Sequence, residues 1–256
     1  MVAIVQDRYF GDLGDFGKYG LLRTLAGRYP QDDAFRLGIV WYLVKDETHN
    51  EDGKHVTYLH ADRNGYRSCD PDLFDALKHA VPRRRSVALL PELDVLPSNT
   101  VYFDTPLDLG RGSAAERWQA RASWVQRALA ATAESQMVFL DPDNGIAFDS
   151  SKLVAAKGNK FAGLSEMADF HRRGQSVVVY HHTDRSASVP VQAERWTNRV
   201  REAGIGIQDI IALRYRRGTS RFFFILPAQQ HASSLYQRTE RFIRSKWGGH
   251  FEALDC

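Results

Sequence analysis

The sequence predicts an α/β protein with a Rossmann-like, doubly wound and mostly parallel seven-stranded sheet, with an antiparallel C-terminal edge hairpin. The first observation is that short apolar runs alternate with segments of helical periodicity along the whole chain, which is typical of parallel sheets covered by helices on both faces. The second is that the last two runs are joined only by residues 216–220 (RRGTS), and so short a link favours an antiparallel pair. Since no repeat or linker interrupts the chain, a single domain over residues 1–256 is expected.

Seven apolar runs are predicted as strands, because each is short, rich in β-branched or aromatic residues and bounded by polar or turn-forming residues. In chain order they are residues 37–44, 86–90, 100–103, 137–140, 176–180, 209–215 and 221–226. The run 137–140 (MVFL) is unbroken and passes directly into Asp141-Pro142-Asp143-Asn144. Such a run is typical of a parallel strand buried on both faces.

Helices are predicted between the strands, where apolar residues recur with a period of about 3.6 residues. The first begins near Asp15, where a Gly- and Asp-rich segment gives way to Leu21, Leu22 and Leu25 in helical spacing. The others are expected to begin at Pro71 and to span about 113–134, 164–173, 190–204 and 232–247.

The composition is that of a globular protein outside a membrane, with 43% apolar and 25% charged residues. Only Cys69 and Cys256 are present, so a reducing, cytoplasmic compartment is expected. No apolar run approaches the roughly 20 residues of a membrane helix, and the N-terminus turns acidic too early for a signal peptide. The net charge of +3 does not by itself indicate nucleic acid. The basic clusters 83–85 and 214–217 are either solvated edges or phosphate contacts.

Polar or titratable residues follow five of the strands, and in a parallel sheet such strand ends share one rim. They are Asp46/Glu47, Glu92, Asp104, Asp141 and His181/His182. The alternative is that most of these residues cap helices.

The pair Asp141-Pro142 suggests a specific chemistry. A carboxylate and a backbone carbonyl held rigidly by proline can accept hydrogen bonds from the two N–H groups of an amine. This aims the nitrogen lone pair at an electrophilic methyl group, so the gain is one of position. The cofactor would supply the reactive group and the protein the geometry, and a base in a duplex would have to be flipped out or presented single-stranded.

The chain resembles the bacterial adenine-N6 methyltransferases of large-subunit ribosomal RNA. In that family a segment similar to H-x-G-N-x-A-D-V-x-K-H precedes the first helix, and residues 9–19 here read YFGDLGDFGKY. Gly11, Asp15 and Lys18 match, and Tyr19 replaces a His. The family's D-P-P-Y motif resembles residues 141–144, although the second Pro and the aromatic residue are absent.

The resemblance implies that the single domain, residues 1–256, is methyltransferase-like. It also implies S-adenosylmethionine as cofactor and nucleic acid, RNA rather than DNA, as partner. Catalytic roles are implied for Asp141, Pro142, Asp143 and Asn144. Cofactor-binding roles are implied for Tyr9, Gly11, Asp15, Lys18, Tyr19, Glu92 and Asp104, with Glu92 at the ribose and Asp104 near the adenine. Substrate-binding roles are predicted for Phe148 as a stacking residue and for His181, Lys160 and Arg216.

Two other functions remain open from the sequence. The segment 45–53 has a single glycine where the family has a Gly-rich cofactor loop, which is compatible with a non-catalytic binding module on a methyltransferase scaffold. Alternatively, a metal-dependent phosphodiesterase or nuclease would gather a hard cation through oxygen ligands. The residues for that function would be Asp46, Asp104, Asp141, Asp143 and His181.

Overall fold

The computed structural model describes residues 7, 9–27, 33–44, 55–60, 64–205 and 210–255. Its strands are β1 (Leu37–Trp41), β2 (Val101–Phe103), β3 (Met137–Asp141), β4 (Ser176–His182), β5 (Ile211–Tyr215), β6 (Arg221–Leu226) and β7 (Phe251–Leu254). Its helices are α1 (Leu13–Ala26), α2 (Tyr66–Cys69), α3 (Pro71–Ala80), α4 (Ala114–Ala131), α5 (Leu164–Arg172), α6 (Val189–Glu202) and α7 (Ala232–Arg244).

The seven strands form one mixed sheet in the order β2-β1-β3-β4-β6-β5-β7. Strands β2, β1, β3 and β4 are parallel to one another, and β6 lies antiparallel between β4 and β5. Strand β7 pairs antiparallel with β5 and forms the outer edge. The predicted α/β class, with its mostly parallel sheet and antiparallel C-terminal strands, is therefore confirmed.

The register brings the carboxyl ends of the parallel strands to one side of the sheet, here called the carboxyl rim. Trp41 is paired with Asp141 across β1 and β3. His182, the last residue of β4, is paired with Arg221, the first residue of β6. The rim is defined by the strand ends Trp41, Phe103, Asp141, His182 and Arg221.

Helices cover both faces of the sheet, and each face has its own apolar core. On one, the α1 face, helices α1, α3 and α7 pack against side chains that include Phe139 and Phe223. On the other, the α6 face, helices α4, α5 and α6 pack against side chains that include Leu140 and Phe224. Successive residues of a strand point to opposite faces, so two consecutive residues at the rim lie on opposite sides of the sheet.

Helix α1 lies unusually close to the rim because three glycines line its inner side. A Cβ atom at Gly14, Gly17 or Gly20 would overlap the side chains of Arg221, Tyr215 and Trp247, respectively. At the start of the helix, Asp12 accepts a hydrogen bond from the backbone N–H of Asp15 at 2.9 Å, which is an N-cap. The glycine spacing therefore brings the polar residues of the first two turns to the rim.

The run 86–90 is not the strand that the sequence predicted. Residues Val87–Leu89 form a 3-10 helix, because the carboxylate of Asp7 binds both the Ser86 hydroxyl and the Val87 N–H at 2.9 Å. Val87 and Leu90 are still buried in the core of the α1 face. The sheet has the predicted number of strands only because β7, which was not predicted, replaces this run.

Smaller differences concern the ends of elements. Strand β1 ends at Trp41 rather than residue 44, and the last helix ends at Arg244, before a 3-10 turn at Lys246–Gly249 that leads into β7. The predicted polar loop after β1, with Asp46 and Glu47, lies outside the described residues, as do residue 209 and Cys256. No helix in the described part of the chain is long and apolar enough to cross a membrane.

Candidate functional site

The candidate site lies at the carboxyl rim on the α1 face, where a lysine of α1 meets the end of β3. The ammonium group of Lys18 is 2.7 Å from Asp15 Oδ1 and 2.8 Å from Asp141 Oδ2. Asp141 points to this face because it is two residues beyond Phe139 in the strand. The contact joins parts of the chain 123 residues apart and links the two segments that carry the sequence resemblance.

The N-terminal segment is folded around the carboxylate of Asp15. Its Oδ2 accepts hydrogen bonds from the Gly11 N–H and the Tyr19 hydroxyl, both at 3.1 Å. Gly11 adopts a φ of 71°, in the left-handed region that glycine tolerates best. The structure thus brings together four predicted cofactor residues, Gly11, Asp15, Lys18 and Tyr19, and sets them beside Asp141.

Three further residues lie on the α1 face of the rim. The sequence analysis placed His182 at the shared rim without a role, and it assigned no site to Tyr180 or Arg221. The Tyr180 hydroxyl is 2.8 Å from His182 Nε2, which is itself 3.1 Å from the Asp143 carbonyl oxygen. The Arg221 guanidinium lies 5.4 Å from the centre of the Tyr180 ring and beside Gly14. Alternation along β4 puts residues 180 and 182 on one face, and the register of β4 against β3 makes it the face of Asp141.

The carboxylates of Asp12, Asp15 and Asp141 are buried close together at this site, and Lys18 forms ion pairs with two of them. Burial, followed by the charge of Asp15, raises the pKa of Asp12. Burial also raises the pKa of Asp141, although Lys18 opposes the shift. Burial alone would lower the pKa of Lys18, but the carboxylates of Asp141 and Asp15 more than compensate and raise it. Lys18 is therefore protonated at neutral pH, and the acids retain a preference for further positive charge.

The second half of the motif is tied to the loop that follows it. Asp143 Oδ2 is 3.2 Å from Lys160 Nζ, and the Asn144 N–H donates to the Lys160 carbonyl at 2.8 Å. Lys160 is only 8% exposed. Its observed contacts hold the motif loop, so the predicted role of Lys160 in substrate binding is not supported by its position.

The two adjacent histidines of β4 face opposite sides of the sheet. On the α6 face, His181 Nδ1 accepts the Ile146 N–H at 2.9 Å, and the ring is 4.3 Å from that of Trp196. Burial, with a smaller effect of His182, lowers the pKa of His181 to about 3, so the ring is neutral. His181, predicted to bind substrate, instead packs inside the protein because it lies one residue out of phase with Asp141, and His182 faces the site.

Four other predicted site residues lie outside this cluster. Glu92 is exposed and follows the 3-10 helix rather than a strand, so its predicted place at a strand end is wrong. Asp104 is exposed and directly follows β2. Arg216 binds the carbonyls of Gly248 and Gly249, beside the β5–β7 pair. The Tyr9 carbonyl accepts the Asp12 N–H at 2.8 Å, which orders the approach to α1.

A separate ion-pair network lies on the α6 face, below the loop that carries Lys160. Arg121 donates five hydrogen bonds, two to the carboxylate of Glu166 and three to the carbonyls of Leu153, Gly158 and Phe161. Glu166 also accepts from the Tyr42 hydroxyl at 2.8 Å and the Gly163 N–H at 2.9 Å. The side chains of Arg121 and Glu166 are 1% and 6% exposed. This network fixes the loop 153–163 against the sheet.

Within the described ranges, no group of three or more His, Cys, Asp or Glu side chains is arranged to hold a metal ion.

Comparisons with known proteins add little to this description. No family model and no curated protein matches the sequence. One solved structure is similar, that of the protein LPL1258 from Legionella pneumophila strain Philadelphia 1, described by the family model DUF519. It is 13% identical, the match covers 96% of each chain, and the TM-score is 0.44. A likeness at that level assigns neither fold nor function.

Proposed function

We propose that this protein is an S-adenosylmethionine-dependent methyltransferase that modifies an adenine amine in nucleic acid, RNA rather than DNA. The observation that carries the proposal is a pair of hydrogen-bond acceptors at the end of β3. Asp141 Oδ2 is bound by Lys18, whereas Asp141 Oδ1 and the Pro142 carbonyl accept no hydrogen bond from any residue that the structure describes.

These two acceptors are held in place from several sides. The Asp141 carbonyl accepts the Tyr42 N–H at 3.4 Å, Lys18 restrains the Asp141 carboxylate, and proline restricts the backbone between them. A primary aromatic amine has two N–H groups to donate. With both engaged, its lone pair would point away from the acceptors toward a bound electrophile. Asp141 and Pro142 therefore act by orienting the amine.

The chemistry of the described residues fits this cofactor. When bound, it supplies an electrophilic methyl group on a positively charged sulfonium. The raised pKa values of Asp12 and Asp141 indicate carboxylates whose charge a neighbouring cation would stabilise. Lys18 and Arg221 are the cations suited to a carboxylate of the cofactor. Lys18 and Arg221, with the acids Asp12 and Asp15, would hold its amino-acid part, and Asp141 would face the amine.

Asp104, rather than Glu92, is suited to the cofactor ribose. Strand β2 is hydrogen-bonded to β1, and Asp104 follows β2 directly and is exposed. In Rossmann folds an acid near the end of the second strand binds the ribose hydroxyls. The sequence analysis gave this role to Glu92 because it took residues 86–90 as a strand.

The test is calorimetric titration with S-adenosylmethionine, followed by methyl transfer to single-stranded oligoadenylate. Asp141→Ala should keep cofactor affinity within a few-fold, because Asp15 and Asp12 remain. It should lose about 100-fold or more in turnover, the scale expected when a reacting group is misplaced. Lys18→Ala should weaken cofactor binding. Lys157→Ala, at an exposed position, serves as the control and should change neither quantity.

An absence of heat on titrating the wild-type protein with S-adenosylmethionine would overturn the proposal. Unchanged turnover in Asp141→Ala would remove Asp141 from the mechanism.

A further inference from the structure

Phe148 is an exposed aromatic residue a few positions beyond the motif 141–144. Its side chain is 52% exposed, more than any other large apolar side chain in the described part of the chain. The other exposed large apolar side chains there are Trp118, Val191 and Tyr236. Phe148 packs against α6, on the face of the sheet opposite Lys18 and Asp141, so its exposed ring belongs to a separate surface.

The Phe148 ring is held rigidly from one side. The guanidinium of Arg199 lies 4.0 Å from the ring centre and also donates to the Phe148 carbonyl. Trp196 meets the ring edge-on at 6.3 Å and in turn contacts His181 at 4.3 Å. A continuous series of ring contacts therefore connects Phe148 to the sheet, so little conformational freedom remains to be lost on binding.

The surface around Phe148 is basic. On α6, Val191, Arg195 and Arg199 are spaced four residues apart and so share one side of the helix, and Arg185 and Lys152 belong to the adjoining loops. Among the described residues, none of these four cations has a carboxylate partner within 4 Å. The Nε atom of Arg199 is buried without a hydrogen-bond partner.

Two nearby acids keep their negative charge and offset part of this positive charge. Asp149 accepts from the Ser151 hydroxyl and the Lys152 N–H, and Asp184 accepts from the Ser186 N–H at 2.7 Å. The four cations outnumber these two acids, so the partner that fits an exposed ring on this surface is a polyanion that carries flat aromatic groups.

We propose that Phe148, backed by Arg199, is a stacking platform for one base of a single-stranded nucleic acid. The base covers the exposed face of the ring, and the phosphates on either side lie near Arg195, Arg185 and Lys152. A base within a duplex is already stacked and does not present its face, so the platform selects single strands. This inference rests on the proposed function in one respect: the stacked base is taken to be a neighbour, in the same strand, of the base that is methylated.

The test compares two fluorescent probes of equal charge, single-stranded oligoadenylate and an abasic chain of the same length, by anisotropy at fixed salt. Phe148→Ala should weaken oligoadenylate binding about tenfold or more, as expected for the loss of one stacked base, and should leave abasic binding unchanged. Phe148→Trp should retain the preference for oligoadenylate. Arg195→Ala should weaken both probes and reduce the salt dependence.

Trp118→Ala and Tyr236→Ala are matched controls, because both remove a partly exposed aromatic side chain elsewhere, and neither should change binding. The platform is refuted if Phe148→Ala binds oligoadenylate as tightly as the wild type does. It is also refuted if the variant loses affinity equally for both probes, or if the wild type binds neither probe. A platform for a protein partner would leave oligoadenylate binding insensitive to Phe148, which also refutes it.

Calorimetry with S-adenosylmethionine on the same variants separates the two proposals. Phe148→Ala should bind the cofactor normally. Stacking that depends on Phe148 in a protein that binds no cofactor would support the platform and overturn the methyltransferase. Cofactor binding by a protein whose affinity for oligoadenylate does not depend on Phe148 would support the methyltransferase and overturn the platform.

Discussion

Two ion-pair networks lie on opposite faces of the same sheet, and they differ in how completely their charges are matched. On the α6 face, Arg121 uses its five N–H groups on Glu166 and three carbonyls. On the α1 face, Lys18 lies between Asp15 and Asp141, and one carboxylate oxygen of Asp141 has no donor among the described residues. One network is closed, and the other has capacity to bind a further group.

The difference separates a structural role from a functional one. A buried pair whose hydrogen bonds are all made holds its surroundings in a single arrangement, and loss of one partner leaves an uncompensated charge. A cluster whose acids have raised pKa values is instead kept at some cost to the folded state. Such clusters are characteristic of binding and catalytic sites. The rim on the α1 face is therefore the better candidate for chemistry, even though the other network contains more hydrogen bonds.

The first prediction breaks the closed network. Arg121→Ala should lower the free energy of unfolding by about 3–5 kcal/mol, because it leaves Glu166 charged and buried without its partner. The measurement is urea denaturation at neutral pH, analysed by linear extrapolation.

Arg127→Ala, on the exposed side of the same helix, removes a similar side chain whose one hydrogen bond to the described residues is with Ser123. It should cost less than about 0.5 kcal/mol. A loss in Arg121→Ala no larger than that of the control would show that the closed network is not structural.

The fold could be predicted from sequence to the extent that it depends on local pattern. Strand β3 was evident because five consecutive buried residues end at a turn. The residues 86–90 have the same appearance, but their conformation is decided by the carboxylate of Asp7, about 80 positions away. Strand β7 has only four residues and is specified by its partner β5, so its own sequence gave no indication of it.

The residues of the site could be predicted from the sequence, but the contacts between them could not. Asp15, Lys18 and Asp141 were each named from motifs, while the contact between Lys18 and Asp141 spans the chain and depends on the close approach of α1. Three glycines spaced three apart, Gly14, Gly17 and Gly20, were the available sign of that approach. Alternation along β4 puts His181 and His182 on opposite faces. Which of them shares the face of Asp141 depends on the register of β4 against β3, which the sequence does not provide.

The second prediction concerns that pair of histidines and the pH dependence of stability. The pKa of His181 is lowered by burial from 6.5 to about 3, so the folded state stays neutral while the unfolded chain takes up a proton below pH 6.5. The contribution of the neutral His181 ring to the free energy of unfolding is therefore fully present above pH 6.5 and decreases as the pH falls toward 3. Between pH 6.5 and 4.5 the loss should be about 2–3 kcal/mol at roughly 1.4 kcal/mol per pH unit.

The comparison of wild type with His181→Asn isolates this effect. Asparagine keeps an acceptor for the Ile146 N–H but does not titrate, so its stability should fall less over the same pH range. Denaturation curves at several pH values give both slopes. Parallel slopes would show that the pKa of His181 is the same in the folded and unfolded states, and the assignment of His181 as a buried, neutral ring would then be wrong.

The last prediction applies the same chemical change to both networks. Asp141→Asn should change the free energy of unfolding by about 1 kcal/mol or less, because it removes a carboxylate whose ionisation is opposed by burial and leaves Lys18 paired with Asp15. Glu166→Gln, the matched change in the closed network, should cost several times as much. If Asp141→Asn abolishes methyl transfer without loss of stability, Asp141 is maintained for activity at the expense of stability, as is common at functional sites. If the two variants are equally destabilised, the Lys18–Asp141 pair is a structural contact like Arg121–Glu166, and the contrast between the faces does not identify the site.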